Sequence, residues 1–136
     1  MAADAEMLHT YIAAFNRGDT ATYAAFYADD VVLSNGGGTV LRGRDAITAF
    51  YSGVRQRLDR TIEVEGVIAG DNAMTALLRS EFTALEDAVE LGGSLLNRGD
   101  RMLLRSMALY ELVDSKFQAI RAISLERRFL RQGEEA

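Results

Sequence analysis

Residues 59–85, DRTIEVEGVIAGDNAMTALLRSEFTAL, decide the fold of this chain. In the first half of this stretch apolar residues alternate with polar ones, which is the period of a half-buried β-strand. The Gly-Asp-Asn sequence at 70–72 is typical of a turn, and the alternation resumes from Ala73 to Leu85. The stretch therefore predicts a β-hairpin. The apolar positions of its first strand are Ile62, Val64 and Ile68.

A second hairpin follows after a longer segment. Residues 101–113 and 117–126 alternate in the same way and meet at Asp114-Ser115. Residues 87–100 contain Gly-Gly and Asn-Arg-Gly-Asp sequences, and they predict a longer loop that acts as a mobile flap over the mouth of a pocket. In strand 73–85 the even-numbered residues are the more apolar set, so we assign them to the inner face of the sheet. They are Met74, Ala76, Leu78, Ser80, Phe82 and Ala84.

The first third of the chain has a helical period instead. Apolar residues recur at helical spacing between Met7 and Phe15, which predicts a helix over about residues 4–16. Amphipathic stretches predict two more helices, over residues 20–28 and 44–58. Between these two helices, residues 31–33 predict a short strand, and the three glycines that follow predict a loop.

Helices followed by antiparallel hairpins indicate an α+β fold, in one domain that covers residues 1–136. Strand 101–113 is apolar on both faces, whereas three short helices cover only one face of a sheet. We therefore expect a second copy of the chain to cover the outer face, which predicts a homodimer. The residues assigned to this outer face are Leu103, Met107, Leu109, Phe117 and Ile123.

The composition excludes several classes of function. The 136 residues include no cysteine and one histidine, so we expect no metal, no cofactor and no thiol nucleophile. A net charge of −5 argues against a nucleic-acid partner, because phosphate binding needs a basic face. No apolar run is long enough to span a bilayer, and the first residues lack the pattern of a signal peptide. These features predict a cytoplasmic protein that has no membrane partner.

Three stretches resemble a known family: YIAAFNRGD at 11–19, FYADDV at 26–31 and LRGRDAITAFY at 41–51. In this order and spacing they are similar to the opening of nuclear transport factor 2-like proteins, in the SnoaL-like and ketosteroid-isomerase-like branches. The resemblance implies a cone, in which a strongly bent mixed or antiparallel sheet wraps around three N-terminal helices and encloses an apolar pocket. It also implies dimerisation through the outer face of the sheet. The superfamily includes isomerases, cyclases, dehydratases, epoxide hydrolases, lyases and binding modules, so the fold alone does not fix the activity.

The same resemblance implies a set of catalytic residues. The tyrosine that donates to the substrate oxygen in steroid isomerases falls on Tyr11, and its supporting tyrosines fall on Tyr27 and Tyr51. The proton-shuttling carboxylate falls on Asn35, whose amide cannot act as a base, and the second oxyanion donor falls on Ala108. The tyrosines therefore match while both carboxylates are replaced, which argues against steroid isomerisation by the family mechanism.

These candidates have structural alternatives. Tyrosines on helix faces commonly fill a core with their hydroxyls satisfied by neighbours, and an asparagine before three glycines is also typical of a turn. The catalytic candidates are Tyr11, Asn35, Tyr51 and Tyr27. The residues that we expect to contact a substrate are Phe15, Tyr23, Phe50, Val54, Phe82, Ser106, Ala108, Tyr110 and Ser124.

Charged residues add few candidates. Arg105 and Arg121 have outer parity, and only a strand bulge would bring either of them into the pocket. Glu126 has inward parity at the end of its strand, and Asp87 is placed to fold over the pocket mouth. We interpret both carboxylates as solvated charges. His9 lies one position off the apolar stripe of the first helix and is expected to face solvent.

Two functions remain open. The leading hypothesis is a cofactor-independent enzyme that acts by proton transfer on an apolar aromatic, polyketide-like or steroid-like molecule, as an isomerase, cyclase, dehydratase or lyase. In this hypothesis Tyr11 holds a substrate oxygen, with support from Tyr27 and Tyr51, and Asn35 orients the substrate or a water. The alternative is a non-catalytic protein that binds a hydrophobic small molecule in the same pocket.

Overall fold

The structure is a computed structural model that describes residues 4–135 of the chain. The helices are α1 (Ala5–Arg17), α2 (Thr20–Ala24) and α3 (Arg44–Arg57). The strands are β1 (Tyr27–Ser34), β2 (Val40–Arg42), β3 (Leu58–Ala69), β4 (Ala73–Ala84), β5 (Val89–Leu91), β6 (Ser94–Leu96), β7 (Arg101–Val113) and β8 (Lys116–Leu130). These elements confirm the α+β class.

Helix α1 has a clear signal at each end. The Asp4 carboxylate accepts a hydrogen bond of 2.7 Å from the Met7 N–H at the first turn. Gly18 ends the helix at φ 69°, a left-handed conformation in which its N–H bonds carbonyls of the last turn. The amphipathic pattern then places Leu8, Tyr11 and Ile12 in the core.

Six strands form one curved sheet in the order β2-β1-β8-β7-β4-β3. The β1–β8 pair is parallel and the other neighbouring pairs are antiparallel, so the sheet is mixed. The three helices and the inner face of the sheet enclose the main core, which gives the expected cone. The even-numbered residues of β4 are all buried, as the sequence predicts.

The second helix is shorter than predicted. It ends at Ala24 instead of residue 28, and Tyr27 begins strand β1 instead of lying on a helix. Tyr27 pairs with Phe117 of the parallel strand β8, a contact between residues distant in sequence. Its ring is fully buried there, so tertiary pairing overrides the local amphipathic pattern.

Bulges change which residues face inward on two strands. In β3 the register shifts between Val64 and Gly66, so Val67 packs against the core and Ile68 is 75% exposed. The assignment of Ile68 to the apolar face was therefore wrong. A bulge reverses the alternation of every later residue in its strand, because side-chain direction has a period of two.

Strand β8 has two such shifts against β7. One separates Phe117 from Ala119, so Phe117 is fully buried in the core and its assignment to the outer face was wrong. The other lies between Ser124 and Glu126. It places Glu126 opposite the outward-facing Arg105, which corrects the inward parity expected for this carboxylate, and it turns Arg127 inward.

Residues 87–100 form a packed hairpin where the sequence predicts a loop. Strands β5 and β6 pair with each other, and Val89 and Leu96 are at most 2% exposed. The side chains of Leu58, Phe82, Ala84 and Met102 complete the buried part of this second apolar cluster. Flap motion of this hairpin remains a prediction.

The outer face of the sheet keeps exposed apolar side chains. Met107, Leu109 and Ile123 are between 37% and 60% exposed on β7 and β8. Within residues 4–135, none of the helices combines the length and apolar character that a membrane crossing requires. Dimerisation through this face remains a prediction.

Candidate functional site

A cavity of about 660 Å³ lies between helices α1 and α3 and the inner face of the sheet. Its volume is within the range of about 300 to 1,000 Å³ that is usual for small-molecule sites. Apolar side chains form most of its wall. A few hydroxyls, two side-chain amides and several charged groups interrupt this apolar surface, and they determine what chemistry the cavity supports.

Two hydrogen bonds fix helix α1 to strand β3 beside the cavity. The Asn16 side chain donates to the Ile62 carbonyl and accepts from the Ile62 N–H, each at 2.9 Å. This bidentate contact sets the position of Tyr11 on the helix relative to Arg60 on the strand. Asn16 is therefore a positioning residue, and sequence reasoning did not identify it.

One wall of the cavity is aromatic, and we call Tyr11, Tyr27, Tyr110 and Phe117 the tyrosine wall. The Tyr11 and Tyr27 hydroxyls lie 2.6 Å apart and share a hydrogen bond in which either oxygen can donate. The Tyr11 ring meets Phe117 edge-on, with the ring centroids 5.0 Å apart. Tyr11 and Tyr110 line the cavity, whereas Tyr27 lies behind Tyr11.

Burial keeps these phenols neutral. It raises the pKa of Tyr11 well above the usual tyrosine value, and the neighbouring Tyr27 and Tyr110 hydroxyls add to that shift. Burial also raises the pKa of Tyr27 and of Tyr110, although the nearby Arg60 opposes the shift at Tyr110. The tyrosine wall thus supplies hydrogen-bond donors at any ordinary pH, and it supplies no ready general base.

A second wall is built around a cation, and we call Arg60, Ser80 and Phe82 the arginine wall. The Arg60 guanidinium carbon lies 4.7 Å from the Phe82 ring centroid and 5.7 Å from that of Phe15. Its Nη2 donates to the Ser80 hydroxyl at 3.3 Å. Burial lowers the pKa of Arg60, and the Tyr51 hydroxyl partly opposes this, so the side chain stays protonated.

Asn35 is at the edge of the cavity in a turn. Its side-chain carbonyl accepts hydrogen bonds from the Gly37 N–H at 2.9 Å and the Thr39 N–H at 3.1 Å. This is the turn geometry that asparagine favours, so Asn35 has the turn-forming role that its sequence context predicts as the alternative to a catalytic one. Asn35 also lines the cavity, and its side-chain NH₂ group is the part left for a ligand.

A small polar patch lies on β7 and β8. Ser106 and Ser124 are paired across the two strands, and both line the cavity. Arg127 donates to the Ser124 hydroxyl at 3.2 Å and lines the cavity as well. Glu90 is the one acidic residue among the described residues that line the cavity, and it is exposed on β5.

Most of the predicted site residues come together in this cavity. Tyr11, Asn35 and Tyr51 line it, whereas Tyr27 and Tyr23 do not. Tyr23 is buried behind the wall, against the rings of Phe15 and Tyr27. The other predicted contact residues all line the cavity: Phe15, Phe50, Val54, Phe82, Ser106, Ala108, Tyr110 and Ser124.

Within residues 4–135 three arginines line the cavity, and two of them, Arg60 and Arg127, were missed for different reasons. Arg60 has the same parity as Ile62 and Val64 in the first hairpin strand, so the alternation contained the signal that places it inside. Arg127 faces inward only because of the bulge in β8. No periodicity argument reveals it. The alternative arginines, Arg105 and Arg121, remain exposed and pair with Glu65 and Glu111.

Comparison with known proteins gives a family match. The sequence model of the family described as SnoaL-like domain matches residues 8–120. No curated protein sequence matches the chain.

Solved structures share the fold over most of the chain. A proposed polyketide cyclase from Xanthomonas campestris has a TM-score of 0.74 and 21% identity, and 87% of each chain is covered. An LEH-like epoxide hydrolase from Mycobacterium tuberculosis has a TM-score of 0.70 and 16% identity over 88% of this chain and 80% of that one. A Catenulispora acidiphila protein with a ketosteroid isomerase-like fold, in complex with trimethylamine, has a TM-score of 0.71 and 9% identity over 88% and 85%. At these identities the likeness shows the fold alone.

Proposed function

The chain belongs to the SnoaL-like domain family, and from this premise we propose that it is a cofactor-independent enzyme that transfers a proton on an apolar small molecule. The substrate is aromatic, polyketide-like or steroid-like in shape. The reaction is an isomerisation, cyclisation, dehydration or elimination.

The observation that carries this proposal is the hydrogen-bonded pair of Tyr11 and Tyr27 at an apolar cavity. When Tyr27 donates to Tyr11, the Tyr11 proton is free to bond an oxygen of the substrate. A donor fixed before the substrate arrives stabilises the negative charge that develops on that oxygen, by about 3 kcal/mol in a site without water. Because the pKa of Tyr11 is raised, the phenol keeps its proton for this role.

The remaining groups complete the proposed site. Tyr51 and Tyr110 line the cavity near Tyr11 and offer further hydroxyls to the substrate. The Asn35 NH₂ group orients the substrate or a water. Glu90 is the carboxylate that can reach the cavity from the hairpin of β5 and β6, so we assign the proton-accepting step to Glu90 or to a water that it activates.

A specific observation favours the alternative, a binding protein without catalysis. Among residues 4–135, the carboxylate that lines the cavity belongs to an exposed side chain, and the position of the family base holds Asn35 with its carbonyl engaged in a turn. A cavity with donors and no base in its interior binds a polar oxygen without removing a proton. The enzyme hypothesis and the binding-protein hypothesis predict the same ligand site, but only the enzyme hypothesis predicts turnover.

Exchange of α-protons in deuterated water separates the two readings. We expect the protein to accelerate the exchange of 2-tetralone, measured by proton NMR, and Tyr11→Phe to reduce that acceleration by about 10- to 1,000-fold. Tyr23→Phe is the matched control, because it removes a buried phenol that does not line the cavity. Binding without exchange would support the binding protein. No binding of apolar ketones, with the fold intact, would contradict both.

We also propose that two copies associate through the outer face of β7 and β8. Met107, Leu109 and Ile123 support this, because they leave apolar side chains exposed on adjacent strands. Sedimentation of the purified chain tests the proposal, and a monomer at micromolar concentration would contradict it.

A further inference from the structure

We propose that the ligand of this cavity is an apolar monocarboxylate whose carboxylate group binds to Arg60. This inference rests on the proposed ligand site and adds the chemical class of the molecule that fills it. The oxygen that Tyr11 binds is then a second polar group of the same ligand.

Arg60 is held in place before any ligand binds. The Phe82 and Phe15 rings flank its guanidinium, and Ser80, whose side chain is fully buried, accepts one of its hydrogen bonds. Strand pairing of Arg60 with Phe82 fixes the backbone under this contact. A rigid, planar guanidinium at a cavity wall is the usual protein partner of a planar carboxylate.

Arg60 lacks a counter-charge within the described residues. The ion pairs formed by residues 4–135 use other arginines, at positions 17, 44, 57, 101, 105, 121 and 131. Its Nε is shielded from solvent and finds no hydrogen-bond partner in this part of the chain. A half-buried cation with no anion beside it is costly, so the fold retains a charge that a bound anion would neutralise.

The surroundings select a singly charged, apolar anion. One guanidinium balances one negative charge, and a phosphate dianion would keep an unbalanced charge between two phenylalanine rings. A neutral ketone would leave Arg60 uncompensated. Across the cavity Arg127 adds positive charge, whereas Arg57 is already paired with Glu86. The cavity thus favours anions although the whole chain carries a net charge of −5.

The test compares two probes of the same shape by isothermal titration calorimetry at neutral pH. Biphenyl-4-carboxylate is charged, and biphenyl-4-carboxamide is its neutral counterpart. We expect the carboxylate to bind at least about tenfold more tightly than the carboxamide. Arg60→Met should abolish this preference while leaving carboxamide binding nearly unchanged. Arg79→Met is the matched control, because it makes the same substitution at an exposed arginine. Arg79 precedes Ser80 in β4 and lies on the outer face of the sheet.

Each outcome decides between the inference and the proposed function. Equal affinities for the two probes in the unmodified protein would overturn the carboxylate inference and leave the ligand site standing. If neither probe binds up to millimolar concentration, the proposed ligand site fails as well. A preference that survives Arg60→Met would assign the anion to another group and overturn the inference. If Arg60→Met does not fold, Arg60→Lys replaces it, and we expect a reduced preference because lysine keeps the charge and loses the planar fork.

Discussion

The tyrosine wall and the arginine wall face one cavity, and they differ in how their polar groups are satisfied. On the tyrosine wall the buried hydroxyls of Tyr11 and Tyr27 bond each other, so each of these two groups has a partner inside the protein. On the arginine wall Arg60 keeps a charge without an ion-pair partner among the described residues. The hydrogen bond between Tyr11 and Tyr27 therefore stabilises the fold whether or not a ligand binds. Arg60 has no such partner within the described residues, which makes it the stronger indication of a ligand.

The largest expected effect is structural and falls on the tyrosine wall. Phe117 is fully buried in the main core, so Phe117→Ala should lower the free energy of unfolding by about 3 to 5 kcal/mol. Phe82→Ala should cost less, about 2 to 3 kcal/mol, because the Phe82 ring already borders the cavity on one side. Urea unfolding measures both variants. Equal losses, or a larger loss at Phe82, would show that the two walls do not differ in packing.

The second effect concerns the hydroxyl pair. Tyr11→Phe leaves the Tyr27 hydroxyl buried without its partner, which should cost about 1 to 2 kcal/mol of stability. Tyr27→Phe should cost a similar amount. The double variant should lose less than the sum of the two, because the second substitution removes the group that the first left unsatisfied. Strictly additive losses in urea unfolding would mean that the two hydroxyls do not interact.

The smallest effect has the opposite sign. Arg60→Met removes a half-buried charge that has no ion-pair partner among residues 4–135 and keeps an apolar side chain of similar length, so the free energy of unfolding should rise by up to about 1 kcal/mol. Loss of the attraction to the two phenylalanine rings limits this gain. Arg79→Met, on the exposed outer face, should change stability by less than about 0.5 kcal/mol. A clear destabilisation by Arg60→Met would show that Arg60 supports the fold.

The two long hairpins were predictable from the sequence, and so was part of the cavity wall. The alternation in residues 73–85 correctly placed Phe82 inside, and the resemblance of residues 11–19 to a family placed Tyr11 there. Arg60 was also within reach, since it shares the parity of Ile62. It was missed because a charged residue within an alternating strand is usually assigned to the outer face, whatever its parity.

Other positions depended on contacts between distant residues. Local sequence around Tyr27 fits a helix, and its burial in β1 follows from pairing with Phe117, 90 positions further along. The hairpin at 87–100 gains its order from packing of Val89 and Leu96 on residues of β3, β4 and β7. In both cases the decisive energy comes from burying side chains against partners that a local pattern does not contain.

The sequence by itself determined helices α1 and α3, the two long hairpins and their order along the chain, because periodicity, turns and caps act through neighbouring residues. It also determined that the chain has phenols for a binding site and a net negative charge. Only the tertiary structure decided which charges enter the cavity. The bulges of β3 and β8 are set by strand pairing across the sheet, and each reverses the direction of the side chains that follow it, as at Ile68, Glu126 and Arg127. The same packing brings Phe15, Phe82 and Arg60 together from three elements.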